Sequence, residues 1–350
     1  MKVIDVKAVY PRWQHLPQGV WQSHFWQIVV RVESDTGVVG LGYGGGGNPA
    51  VAVVNEHMKG LLVGSTVESV DDIREAWDWL YYKSLPYGRT GIPVMALSGV
   101  DLALWDLLGK AQGRPVYDLL GGLAVDKVRA YASSKEYLRD RDAGYTAVKV
   151  GTPFFGRDGE ADEIVEAVAS ARESYGPDAL VLTDCGMTWN GADTLEMASR
   201  LADYDVYWFE DVLTPDHLDE LAALRPKVKP VLLAGGEHDY THHDFAAIAE
   251  AGALDLWQPD ITWCGGITAG LRIVDLARDA GVPVVPHRGG EIWGLHLLAA
   301  TGCGELAETM PHRWTPPNDE LWLDEPLAKD GFIAPLDRPG FGVVLNEAML

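Results

Sequence analysis

Five polar residues recur at nearly constant spacing between positions 180 and 287, and each follows a short apolar run. They are Asp184, Glu210, Glu237, Asp260 and His287, separated by 26, 27, 23 and 27 residues. Each interval has room for one strand, one helix and two short loops of a parallel sheet. The spacing therefore predicts repeated βα units that carry a polar side chain at the C-terminal end of each strand.

Further segments extend this alternation in both directions. Strands are predicted at 128–133, 147–150 and 304–309, with helices at 135–143 and 159–175. Eight parallel strands are the number that a closed barrel needs, and such barrels carry the active site at the C-terminal rim. The predicted fold class is therefore α/β, a modified TIM barrel of (βα)7β form in which the polar strand ends converge.

The chain before the barrel has a different organisation. Strand-like alternation at 2–10 and 25–32 is followed by a turn at 34–37, and helices are predicted at 49–62, 70–82 and 91–109. Gly121 and Gly122 mark the end of this part. We predict an N-terminal α+β capping domain at 1–122, a barrel domain at 123–310, and a tail at 311–350 that returns to the first domain.

Two N-terminal stretches raise functional questions. The run from Gly40 to Gly45 matches the G-x-G-x-x-G pattern of dinucleotide-binding loops, but it follows a hairpin strand and opens no helix, so a mobile glycine loop at 44–47 is the better interpretation. The aromatic-rich stretch 11–24, with Trp26 beyond it, is either a hydrophobic flap or a set of packed loop aromatics. The residues that we expect to bind substrate are His15, Trp21, His24 and His238.

Charge and cysteine content restrict the possible partners. The chain has 28 Lys and Arg against 51 Asp and Glu, a net charge of −23, which argues against binding nucleic acid or an anionic membrane. The 3 cysteines form no disulfide framework, no signal peptide is evident, and no apolar run reaches the roughly 18 residues that span a bilayer. We therefore expect a cytoplasmic protein.

Three of the strand-end acids suggest a metal site. Asp184, Glu210 and Glu237 offer hard oxygen ligands from three adjacent rim positions, which suits Mg²⁺. Each acid taken alone is better explained as a helix cap or a loop ion pair, but the shared spacing favours a common site. Zinc is disfavoured because His238 and His242 have no third nitrogen or sulfur ligand at zinc spacing.

The remaining rim residues suggest proton transfer. Asp260 next to His287 would fix the imidazole tautomer and raise its basicity, as a general base requires, although a packed rim histidine is the alternative. Lys149 reaches the rim from the opposite side as a second acid or base, a carboxylate anchor or a structural ion pair. Glu308 would lie beside the metal from the eighth strand.

These residues occur in strings that resemble the enolase superfamily, mandelate racemase subgroup, and within it L-rhamnonate dehydratase and related acid-sugar dehydratases. The strings are Gly236-Glu237-His238-Asp239, Gln258-Pro259-Asp260, Trp263-Cys264-Gly265-Gly266-Ile267-Thr268, Val284-Val285-Pro286-His287 and the helical stretch Val100–Lys110. The resemblance covers essentially the whole chain.

The resemblance implies a role for each matched residue. Asp184, Glu210 and Glu237 match the three Mg²⁺ ligands, His287 the base, Asp260 its partner, and Glu308 the acid that hydrogen-bonds the substrate carboxylate. Two departures stand out. Lys149-Val150-Gly151 lacks the second lysine of the racemase pattern Lys-x-Lys, and Glu210-Asp211-Val212 replaces the commoner Glu-Glu-Pro.

The expected activity is Mg²⁺-dependent dehydration of a small-molecule sugar acid to a 2-keto-3-deoxy acid by a homo-oligomeric enzyme. Loss of the second lysine favours chemistry with one base. A cycloisomerase, or an epimerase or racemase, would use the same metal and base. A sugar-acid binding protein without catalysis is the remaining alternative.

Overall fold

The computed structural model describes residues 1–12, 22–311 and 321–350. Most of the predicted flap, including His15 and Trp21, lies outside the described residues. His24 and His238 lie within them.

The chain opens with a three-stranded antiparallel sheet. Its strands, in spatial order, are β1 (Val3–Val9), β2 (Ile28–Ser34) and β3 (Val39–Gly44), and a short helix α1 (Gln22–Phe25) precedes β2. Ser34 and Val38 close the turn between β2 and β3, since the Ser34 N–H donates to the Val38 carbonyl at 3.0 Å. The predicted hairpin is therefore present.

Helices cover this sheet. They are α2 (Gly47–Ala52), a π-helical turn (Val53–Met58), α3 (Lys59–Leu62), α4 (Val70–Ser84), α5 (Ile92–Gln112) and α6 (Val116–Leu119). The predicted end of α5 at Gly109 is wrong, because the helix continues to Gly113, which has φ +67°. A Cβ on Gly109 would lie 2.9 Å from the Cα of Gly340, so this glycine permits close packing of the C-terminal tail on the helix.

Helix α5 is the central helix of the first part. It is long and apolar enough to cross a membrane by length and composition, with a mean hydropathy of 1.5, so the expectation that no apolar segment reaches that length is wrong. However, 89% of that apolar window is buried inside the molecule. Its composition therefore reflects its position in the protein core.

The glycine pattern of β3 is explained by contact with α5. A Cβ on Gly40 would lie 2.1 Å from the Ala103 carbonyl oxygen, and one on Gly42 would lie 2.0 Å from that of Gly99. The glycines thus let the helix backbone lie directly on the strand. The expected mobile loop is reduced to Gly45 and Gly46, because β3 runs to Gly44 and α2 begins at Gly47.

The second part is the predicted barrel. Its parallel strands are β4 (Val128–Ser133), β5 (Ala147–Gly151), β6 (Leu180–Asp184), β7 (Val206–Glu210), β8 (Leu232–Gly235), β9 (Leu256–Trp257) and β10 (Leu306–Thr309), hydrogen-bonded in the order β10-β4-β5-β6-β7-β8-β9. The strand predicted before His287 is reduced to a bridge between Trp257 and Val284. Closure is completed by the Val284 N–H, which donates to the Cys303 carbonyl at 2.9 Å.

The helices of the barrel alternate with its strands along the chain. They are α7 (Tyr137–Asp142), α8 (Glu160–Tyr175), α9 (Gly191–Arg200), α10 (Leu218–Leu224), α11 (Thr241–Ala251), α12 (Gly266–Ala280) and α13 (Ile292–Thr301), with 3₁₀ turns at Ala202–Tyr204 and Pro215–His217.

One buried layer shows how the barrel interior is filled. It takes one side chain from each strand position around the barrel, namely Tyr131, Ala147, Leu182, Trp208, Ala234, Leu256, Val285 and Leu306. Bulky and small residues are mixed in this layer, so the interior is a packed core and not a pore. The α/β barrel with an N-terminal capping unit is therefore confirmed.

The tail contacts both parts of the molecule. Its strands are β11 (Trp322–Leu323), β12 (Phe332–Ile333) and β13 (Val344–Leu345), followed by a 3₁₀ turn (Glu347–Met349). β12 pairs with β4 of the barrel, whereas the Phe341 N–H donates to Asp106 of α5 at 2.9 Å. The tail thus packs against the barrel as well as the first domain.

Candidate active site

Strand register places two predicted metal ligands side by side. Asp184 and Glu210 are paired residues at the ends of β6 and β7, and Gly151 at the end of β5 is paired with Asp184. Glu237 follows two residues after β8 ends. The three carboxylates therefore come from successive strands at one rim of the barrel, as predicted.

Lys149 lies at the centre of a carboxylate cluster. Its Nζ is 2.6 Å from Glu210, 2.7 Å from Glu308 and 3.2 Å from Asp184, and its side chain is only 3% exposed. Burial opposes the charge, but the three carboxylates outweigh it and raise the pKa of Lys149 well above its usual value. This lysine is therefore a fixed ammonium cation at the rim.

The donor set fits a divalent cation. All three predicted ligands are carboxylates, which are the oxygen donors that Mg²⁺ prefers. Burial raises the pKa of Glu210 to about 8, and the charge of Lys149 only partly offsets this while Asp184 and Glu308 add to it. One ammonium group therefore leaves excess negative charge at this rim, which a divalent cation would neutralise.

Glu237 is oriented differently from the other two acids. Donor atoms of Asp211, Glu237 and His238 lie within 4.8 Å of one another. Asp211 has φ +49°, and burial with the nearby charge of Glu237 raises its pKa well above its usual value. Asp211, seen in the sequence only as a departure from the family pattern, is thus part of the rim.

The predicted base and its partner are in contact. The Nδ1 of His287 lies 2.9 Å from Asp260 Oδ2, and its Nε2 faces Glu237 Oε2 at 3.4 Å. Burial alone would disfavour the protonated ring, but the charges of Glu237 and Asp260 raise the pKa of His287 to about 9. The Asp260 bond fixes a proton on Nδ1, so Nε2 is the ring nitrogen that faces the metal-binding rim and would exchange a proton there.

Arg288 and Thr262 also belong to the site, although no sequence pattern predicted them. Arg288 is buried, donates from Nε and Nη2 to Asp260 Oδ2 at 3.1 and 2.9 Å, and donates from its backbone N–H to Glu308 at 2.8 Å. Thr262 donates from its N–H and its hydroxyl to Asp260 Oδ1, both at 2.7 Å. In the sequence, the one indication that Thr262 and Arg288 belong to the site is that they lie close to Asp260 and His287 along the chain.

An aromatic wall borders the base. Trp263 packs against His287 at 5.6 Å and stacks on His238 at 5.8 Å between ring centroids. A Cβ on Gly45 would lie 2.6 Å from the Trp263 ring, so the glycine loop closes against this wall. His24 is exposed, and its predicted role in substrate binding stays a prediction.

Comparison with family models agrees with this architecture. Residues 3–121 match the model of the mandelate racemase / muconate lactonizing enzyme N-terminal domain, and residues 133–349 match that of the enolase C-terminal domain-like family.

Individual proteins give the same result. L-rhamnonate dehydratase of Saccharopolyspora erythraea is 34% identical over 348 residues, which is 97% of this chain and 88% of that protein. The crystal structure of rhamnonate dehydratase from Gibberella zeae complexed with Mg has a TM-score of 0.90 at 29% identity, covering 99% of this chain and 95% of that one. A racemase from Streptomyces coelicolor A3(2) with bound magnesium has a TM-score of 0.85 at 27% identity, covering 99% and 98%. The chain belongs to the mandelate racemase / muconate lactonizing enzyme family of the enolase superfamily.

Proposed function

We propose that this protein is a Mg²⁺-dependent hydro-lyase that dehydrates a sugar acid to a 2-keto-3-deoxy acid. The observation that carries the proposal is the Asp260–His287 pair, whose Nε2 faces the carboxylate rim at Glu237. The L-rhamnonate dehydratase relative of similar length and the magnesium complex of the Gibberella zeae enzyme support the reaction and the metal.

Asp184, Glu210 and Glu237 would hold the metal. Bound Mg²⁺ would acidify the hydrogen on carbon 2 by drawing electron density from the substrate carboxylate. The fixed ammonium of Lys149 lies against two of these ligands and against Glu308, so it adds positive charge where the substrate carboxylate would bind.

His287 would remove the proton from carbon 2 through Nε2. Asp260 holds the opposite ring nitrogen in its protonated form and stabilises the imidazolium that results. Glu308 is oriented by the Arg288 N–H and by Lys149, and in its protonated form it would donate a hydrogen bond to the substrate carboxylate as charge develops there.

The 3-hydroxyl needs a proton in order to leave as water. Lys149 is a poor source because it is 3% exposed and its pKa is raised well above its usual value by three carboxylates. The imidazolium of His287 would have just received a proton, and its Nε2 faces the carboxylate rim. We therefore favour syn elimination, with His287 as base and then as acid, over anti elimination from Lys149.

The test combines a substrate screen with one variant. Wild-type protein with Mg²⁺ is offered a library of sugar acids, and 2-keto acid formation is measured. His287→Asn keeps a polar side chain at this position but lacks the base, so kcat should fall by at least ~10²–10⁴, because that is the usual contribution of general-base catalysis. Near wild-type turnover by this variant would show that His287 is not the base.

Product mass separates dehydration from the alternatives. The likeness to the magnesium-bound racemase, at 27% identity, supports an epimerase or racemase as the second candidate function. Such an enzyme, or a cycloisomerase, would conserve the substrate mass. Dehydration removes one water from each molecule. A binding protein without catalysis would exchange no deuterium from solvent into carbon 2.

A further inference from the structure

Asp260 is held by more donors than its partnership with His287 requires. Its Oδ1 accepts the N–H and the hydroxyl of Thr262, and its Oδ2 accepts His287 and two nitrogens of Arg288. The carboxylate is 1% exposed. Its orientation, and therefore that of the imidazole, depends on how Thr262 and Arg288 are themselves held.

Thr262 is held from the capping domain. Gln27 immediately precedes β2, is fully buried, and donates from its Nε2 to Thr262 Oγ1 at 2.9 Å. The same hydroxyl oxygen accepts Arg288 Nη2 at 2.6 Å while its proton goes to Asp260. With one donated and two accepted bonds the hydroxyl is saturated, so its rotation is fixed.

The other end of the Gln27 amide is fixed as well. Its Oε1 accepts the indole N–H of Trp263 at 2.7 Å, and Trp263 packs against the His287 ring. The amide therefore cannot flip without losing a buried bond at each end. A single side chain of the capping domain thus fixes both the hydroxyl that orients Asp260 and the aromatic wall beside the base.

We propose that Gln27 is a positioning residue for proton transfer, acting from the capping domain through Thr262 and Asp260 on His287. The proposal rests on the function proposed above for His287. His287 is then correctly oriented only when the capping domain is docked on the barrel, so docking does more than enclose the site.

The main variant is Gln27→Met, which keeps the length of the side chain but removes both amide contacts. Substitutions that remove a partner holding an active-site ligand typically cost about 10- to 100-fold, and we expect a decrease in kcat of that size with KM nearly unchanged. Thr262→Val should cause a similar loss, and Thr262→Ser should retain activity because it keeps the hydroxyl. Since Gln27 acts through this hydroxyl, the double variant Gln27→Met/Thr262→Val should be little worse than Thr262→Val alone.

The matched control is Asp78→Asn. It removes the carboxylate charge from an exposed ion pair between the domains, from Arg272 to Asp78 at 2.7 Å, that does not lead to Asp260. This variant should keep wild-type kcat. Equal losses in Asp78→Asn and Gln27→Met, or additive losses in the double variant, would overturn the proposal.

A spectroscopic readout needs no substrate. The proton between His287 Nδ1 and Asp260 should give a far-downfield NMR resonance, which we expect to persist in Asp78→Asn and to broaden or vanish in Gln27→Met. An unchanged resonance together with wild-type kcat in Gln27→Met would refute the role of Gln27.

If Gln27→Met fails to fold, Gln27→Glu is measured in its place. This carboxylate variant keeps an oxygen acceptor for the Trp263 N–H but has no N–H to donate to Thr262. A lower kcat with a broadened or lost resonance would support the proposal, and wild-type kcat with an unchanged resonance would refute it. Absence of keto-acid formation by wild-type protein, with the resonance changes as expected, would refute the dehydratase function and leave the positioning role standing.

Discussion

Two buried acids in α5, Asp101 and Asp106, belong to the stretch Val100–Lys110 that resembles the enolase superfamily. Asp101 accepts the Thr268 hydroxyl at 2.5 Å and its N–H at 3.0 Å at the start of α12, and burial raises its pKa to about 7. Asp106 accepts the N–H groups of Leu41 and Phe341. These two residues of the motif therefore join the capping domain to the barrel and the tail.

His296 offers a test of electrostatics at the same scale. It is buried in α13, where its Nδ1 accepts the Tyr117 N–H at 3.1 Å, and burial lowers its pKa from 6.5 to about 3. The unfolded chain binds this proton below pH 6.5 and the folded protein does not. The stability that neutral His296 provides is therefore complete above pH 6.5 and is lost as the pH falls toward 3.

The expected result is a difference in pH dependence. Between pH 6.5 and pH 5 wild-type protein should lose about 2 kcal/mol of unfolding free energy more than His296→Gln, which has no group to titrate. Urea unfolding at the two pH values measures this. Parallel losses in the two proteins would show that His296 is not held neutral in the folded state.

At the scale of elements, the contact between β3 and α5 depends on glycine. Gly42→Ala would place a methyl group 2.0 Å from the Gly99 carbonyl oxygen, which belongs to a helix backbone that has little freedom to move. We expect a loss of about 1–3 kcal/mol or more in unfolding free energy, as for overpacked cores.

Gly60 in α3 is the matched control. Among the residues that the structure describes, no atom lies within 4 Å of a Cβ placed there. Gly60→Ala should therefore stabilise the protein by about 0.5–1 kcal/mol, because alanine is the better helix former. Opposite signs for the two substitutions in denaturant unfolding support the packing explanation, and a harmless Gly42→Ala would contradict it.

At the scale of the whole molecule, Lys149 connects opposite sides of the barrel. It extends from β5 and pairs with acids on β6, β7 and β10. Removing one partner of a buried ion pair typically costs about 3–5 kcal/mol, because the remaining charges are left uncompensated. Lys149→Met should therefore be strongly destabilised in EDTA.

Added Mg²⁺ should restore part of that stability. The melting temperature should rise more on Mg²⁺ addition for Lys149→Met than for wild-type protein, because the variant lacks the ammonium group that lies among these carboxylates. Lys59→Met, which breaks the exposed pair with Asp5, should change the unfolding free energy by less than about 1 kcal/mol with or without metal. A Lys149→Met protein as stable as wild type in EDTA would show that the cluster needs no internal cation.

The sequence by itself determined the barrel and its polar rim. Strands β6 and β7 have the predicted ends at Asp184 and Glu210, because repeated βα units place one residue of each strand at the same edge. It also identified the Asp260–His287 pair, since neighbouring strand ends in a parallel sheet lie within hydrogen-bond reach. Local pattern and spacing carry this information.

Only the tertiary structure decided the rest. The predicted strand before His287 is a single bridge, the carboxylates of Asp211 and Glu237 converge, and Gln27 reaches Thr262 across 235 positions of the chain. Contacts between residues so far apart depend on how the two domains dock. A periodic pattern specifies which face of an element is buried, but not which distant side chain it meets.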